Sequence, residues 1–290
     1  MANDPIFRHL IQEFFPYSYW DASVSPLAFS QEFTPKGPLT KDLFDLLVRA
    51  FTVLEIVAQE IWAKPLATNR RYMMQSAELY VYHTLCMCWM EKQMITDIYD
   101  RFLSVIVLVR YTTEMTFCTT GKKFYKLTSR ILNVFFENCL REDFMKRGGW
   151  KRLEKHILKR KYLEYYNECA LYDFVTDFIP EDLKEKMRQS FSFTTEIPVL
   201  MPNEMISDLT LQVVSSVESS LLNEINSPKS NKEKSVPKAE GTSSTEAKVL
   251  KDSYVPRSSE KQMNHCVNHL NQFEEKLKEL ISIFELLETE

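Results

Sequence analysis

Apolar residues recur at spacings of three and four along most of the chain up to about residue 225, and that rhythm predicts helices. The first begins in "NDPIFRHLIQEFF". Asp4 is its N-cap, Pro5 takes the first helical position, and Ile6, Leu10, Ile11 and Phe14 form its apolar stripe. Residues 16–38 break the rhythm with four prolines and a glycine, and read as an irregular aromatic segment draped over a helical body. Thr40 then caps a long helix, "KDLFDLLVRAFTVLEIVAQEIWA", expected to stop before Pro65. Further helices are expected over about 68–92, 95–118 (closed by Gly121) and 122–140. One or two more cover about 149–178, another follows Pro180, and a last one starts at an Asn203 cap and runs to about 225.

Helices of this length, apolar over wide faces and joined by short connections, form antiparallel hairpins. The fold class is therefore all-α: an irregular or armadillo-like helical body over 1–225. Residues 226–259 change character abruptly. They are rich in Ser, Lys, Glu and Pro and too poor in apolar residues to bury a core, so they read as a disordered linker. Rhythm returns over 260–290 as a heptad-like seam that includes Leu270, Phe273, Leu277, Leu280, Phe284 and Leu287. This amphipathic, coiled-coil-like helix must pack on the body, on a second copy of itself or on a partner.

Composition narrows the choice. Five glycines stand in 290 residues, where ordinary usage gives roughly 20. So few glycines argue against hairpin-rich β folds and against glycine-loop nucleotide sites. A net charge of −4 points to no class of partner. The start, "MANDPIFRHL", carries no secretory signature, and the apolar run "FLSVIVLV" is too short for a bilayer span. The expectation is an intracellular, most simply cytoplasmic protein, with no membrane contact. Its six cysteines are then reduced thiols, most of them in apolar helical surroundings where they act as small apolar side chains.

No motif of catalysis is present: no nucleophile elbow, P-loop, zinc-protease helix or EF-hand. Cys86 and Cys88 diverge around a helix, and His265 and His269 share a face without further ligands, so no metal and no cofactor is expected. One cluster stands out. Lys146, Arg147, Lys151, Arg152, Lys155, Lys159 and Arg160 fall in a short window opposite a core stripe of Trp150, Leu153 and Ile157. That face suits an acidic protein segment, RNA, anionic lipid or the acidic surface of a cytoskeletal filament.

The same window holds Gly148 and Gly149, in "LNVFFENCLREDFMKRGGWKRLEKHIL". A phosphate cradle would follow a strand; here a helix precedes, so the pair reads as a turn between helices. The stretch resembles the junction between armadillo-type repeats. Leu132 and Asn133 match the first helix, Phe144 the aromatic, the glycines the turn, and Leu153, Ile157 and Leu158 the next helix. Trp150 departs from the pattern, where an aliphatic residue is usual. The resemblance implies a right-handed helical stack with a protein-binding groove and no catalysis. A lesser resemblance, to the apoptosis-regulator bundle, rests on Gly148-Gly149-Trp150 alone. The function expected from all this is a non-enzymatic scaffold or adaptor, with the tail seam binding a partner or forming a homodimer. RNA or filament binding through the basic face is the alternative.

Overall fold

Asp4 caps the first helix as the sequence predicts. Its carboxylate accepts from the backbone N–H of Ile6 (2.8 Å) and Phe7 (2.9 Å), starting α1 (Pro5–Phe14). A computed structural model of the chain describes residues 4–15, 33–190 and 199–226. The chain divides into two units, Met1–Asn231 and Lys232–Glu290. The second unit, and with it the tail seam from Leu270 to Leu287 and nearly all of the expected linker, lies outside the described residues.

The first unit is helical, with no strand among its described residues, so the all-α class holds. Its elements after α1 are α2 (Lys41–Met73), α3 (Ala77–Met94), α4 (Ile98–Thr120) and α5 (Thr128–Phe135). Then come α6 (Arg141–Lys146), α7 (Trp150–Lys159), α8 (Tyr162–Ala170), α9 (Glu181–Ser190), α10 (Asn203–Ser215) and α11 (Ser219–Asn226). α4 is the central element. It packs on α2, α3, α5 and α6, and its residues from Phe102 to Val109 are buried without a break. By length and composition α4 is also apolar enough to cross a membrane, although most of its apolar window is buried in the body. The longer apolar stretch that the octet "FLSVIVLV" belongs to is the core helix of this unit. α10 lies against α3 and α5, α7 to α9 against α2, and α1 against α5.

Three expectations need correction. α2 does not stop before Pro65 but carries it inside the helix and runs on to Met73. Trp62, Leu66 and Met73 continue the buried stripe across the proline. The packing they gain offsets the lost backbone hydrogen bond. The break falls instead at 74–76, and Ser76 caps α3. The helix expected at 122–140 is composite: a 3₁₀ turn (Phe124–Leu127), α5, a π turn (Phe136–Leu140) and α6. The π turn shifts the register by a residue, which lets the adjacent Phe135 and Phe136 both face inward with Leu140 and Phe144. The final helix is also two, and Pro202 rather than the expected Asn203 stands at its N-cap, with Asn203 the first helical residue; α10 ends where Ser216 turns its hydroxyl back to the Val213 carbonyl (2.6 Å).

The glycine pair is a turn. Gly148 has φ 108° and Gly149 φ 54°. The Gly149 N–H closes onto the Phe144 carbonyl at 2.9 Å, and α7 starts at the next residue. Above the turn sits a knot of rings. Phe7 stacks on Phe136 at 4.0 Å, Phe102 faces Phe144 at 4.8 Å, and Trp150 meets Phe144 edge-on at 5.3 Å.

Candidate functional site

The first turn of α4 and the α6–α7 corner enclose the site. Asp97 caps α4, accepting from Tyr99 N–H at 2.8 Å. That cap fixes the side chains that follow. Asp100 is buried and points back into the body, Tyr99 packs against Phe144, and half-buried Arg101 donates its Nε–H to the Ile95 carbonyl at 2.9 Å. The Tyr99 hydroxyl donates to the Arg147 carbonyl at 2.8 Å, tying the corner to α4.

A cleft of about 530 Å³ lies between these elements, lined by Asp97, Tyr99, Arg101, Asp143, Lys146, Arg147, Arg152 and His156 among others. Its balance is cationic: three arginines and a lysine against two acids. Among the described residues none of Arg101, Arg147 and Arg152 is in an ion pair, although Lys146 pairs with Glu142 at 2.5 Å. Burial lowers the pKa of Arg101, opposed by the nearby Asp143 and Asp97 carboxylates. Tyr99 is pushed up, chiefly by burial, while Arg152 and Arg147 pull it down. A tyrosine so shifted, its hydroxyl already engaged, is no ready nucleophile. The chemistry of the lining is recognition of an anion.

Behind the cleft Asp100 is a hub. Its carboxylate meets His156 Nε2 at 2.6 Å, accepts from the Tyr162 hydroxyl at 3.0 Å, and pairs with the Arg160 guanidinium. Burial, then the charge of Asp100, drives the Tyr162 pKa well above its ordinary value. Asp97, Asp100 and His156 bring three ligand-type atoms within 4.8 Å of one another. A cation there would have to displace the Arg160 charge from Asp100. The set is better understood as a latch that seats α7 and α8 on α4.

The basic window is thus split. Lys151, Arg152, Lys155 and Lys159 are exposed on α7, and Lys146 and Arg147 are exposed at the corner. Arg160 departs from the expected exposed face: it is partly buried and turned in to Asp100, because an unpaired buried carboxylate would be costly. Leu153 and Ile157 are core as expected, while Leu158, matched to the armadillo pattern, is 54% exposed. Trp150 has a use an aliphatic residue lacks: its indole N–H donates to Asp4 Oδ2 at 3.3 Å. Sequence reasoning assigned nothing to Tyr99, Arg101 or Asp143. The signal was there in "TDIYDR", a cap followed by ionisable residues in the first turn of an otherwise apolar helix.

Gly148 bears on the cleft directly. A Cβ on it would stand 2.7 Å from Cδ of Arg152. The bare backbone therefore lets the Arg152 stem lie across the turn.

Comparison with protein-family models, with curated proteins and with solved structures finds no match.

Proposed function

We propose that this chain is a non-enzymatic intracellular adaptor that binds other proteins, and that the α6–α7 corner is where its helical body takes an acidic segment of one of them. The observation that carries the reading is the cleft itself, with three arginines outside ion-pair distance of any acid among the described residues, continuous with the exposed lysines of α7. The positive φ of Gly148 and Gly149 makes a turn between helices, and the same proposal takes that turn as one junction of an armadillo-like body used for protein contacts. The tail seam from Leu270 to Leu287 would supply a second contact, raising the effective concentration at the first.

RNA or a filament is the lesser reading. Asp97 and Asp143 in the cleft and Glu142 and Glu154 beside it interrupt the basic surface that an extended polyanion would track.

The test is fluorescence anisotropy of the full chain with a labelled oligoglutamate peptide, against oligolysine and oligouridine. The expected result is saturable binding of oligoglutamate that weakens with salt. It is lost in Arg147→Glu and Arg152→Glu, each checked for native helicity. Absence of oligoglutamate binding, or tighter binding of oligouridine, overturns the reading.

A further inference from the structure

We propose that the cleft between α4 and the α6–α7 corner is a phosphoryl site, built to seat one phosphorylated side chain of a partner protein; this rests on the adaptor reading above. One carboxylate is satisfied by one guanidinium fork. Here Arg101 stands within the wall and Arg147 and Arg152 at the corner, with Lys146 beside them. Lys146 is paired with Glu142 and the Arg101 Nε–H is given to the Ile95 carbonyl, but the terminal N–H groups of the three guanidiniums still exceed what one carboxylate can use. A phosphate monoester near pH 7 carries almost two charges and three terminal oxygens, each able to accept from a separate donor.

The acids in the lining fit this reading. Asp143 and Asp97 favour the charged form of Arg101 against its burial. A nucleic acid or an anionic bilayer presents many charges to a broad surface, whereas a recess of about 530 Å³ has room for a phosphorylated side chain and the residues that flank it. The backbone contributes through Gly148, which leaves room for the Arg152 stem beside the cleft. The Tyr99 hydroxyl holds the Arg147 carbonyl, so the corner is fixed before any ligand arrives.

The experiment titrates the full chain with a short fluorescent Gly/Ser peptide carrying one central phosphoserine, with the same peptide carrying glutamate there, and with the unmodified peptide. Inorganic phosphate serves as competitor. The expected result is roughly tenfold tighter binding of the phosphoserine peptide than of the glutamate peptide, with displacement by phosphate. Arg147→Gln and Arg152→Gln each remove that preference, and Lys64→Gln, an exposed lysine of α2 outside the basic face, leaves it intact. Equal affinity for phosphoserine and glutamate, or an equal loss in Lys64→Gln, overturns the proposal. Oligoglutamate binding without a phosphoserine preference sinks the phosphoryl site alone and leaves the adaptor reading standing. Loss of both sinks both. Displacement of the phosphopeptide by oligouridine at lower concentration than by phosphate overturns it in favour of nucleic acid.

Discussion

Glu91 sits where three helices meet. It is buried on α3, accepts from Trp62 Nε1 of α2 at 3.1 Å, and accepts from the Ser104 hydroxyl of α4. Burial is the largest influence and raises its pKa above the usual 4.5, against the two hydrogen bonds that lower it. The protonated form therefore favours the fold. Its contribution is complete below the unfolded value and is lost as pH rises through the folded one. Glu91→Gln should melt at or above the temperature of the parent at pH 7, and the gap should close as pH falls toward 4.5; scanning calorimetry across that range measures it. A gap that widens on acidification would refute the assignment. Nothing in the sequence around "CWMEKQ" marks Glu91 as buried, because its partners stand 29 residues before it and 13 after. The thiols were easier to read. Burial lifts Cys86, Cys139 and Cys169 to about 11, in keeping with small apolar side chains.

At the scale of the element, local chemistry was legible and packing was not. Caps at Asp4 and Thr40, the Gly121 stop and the Gly148-Gly149 turn follow from single residues whose backbone preferences are strong. The fate of Pro65 and the π turn at Phe136–Leu140 depends on what lies across the core, which no local rule contains. The same holds for the site. The basic face of α7 could be read from the chain, but Arg101 and Tyr99 join it only because α4 lies beneath the corner. The turn is a strict demand on backbone. A Cβ at Gly149 would stand 2.9 Å from Met145 Sδ, at a φ that side chains disfavour. Gly149→Ala should cost about 1–3 kcal/mol in a urea melt. A variant as stable as the parent would mean that the corner is looser than its geometry implies.

Across the whole helical unit, residues far apart in sequence fasten it. Lys126 is nearly buried, and its ammonium donates to Glu224 on α11 at 2.9 Å, with Lys123 bonded to the same carboxylate. The hydrogen bond from Lys123, then that from Lys126, holds the Glu224 carboxyl below the usual range. Its stabilisation is thus present above the unfolded value near 4.5 and is lost as pH falls through the depressed one. Glu224→Gln leaves a buried ammonium short of its counter-charge. About 1–2 kcal/mol should be lost at pH 7, since the pair is partly open to water, and the loss should fade in acid. Urea melts at the two pH values decide it, and an equal loss at both would refute it.

The Asp4–Trp150 hydrogen bond spans 146 residues. A ribosome adding about 5–20 residues each second needs roughly 7–30 s to cover that distance. Within that interval the partners of α1 arrive in order: Phe44 and Phe51 for Phe14 first, then Phe102 and Phe136 for Phe7, and Trp150 for Asp4 last. α1 can therefore be seated in stages, its C-terminal end against α2 early and its N-terminal cap only once the glycine corner has been made.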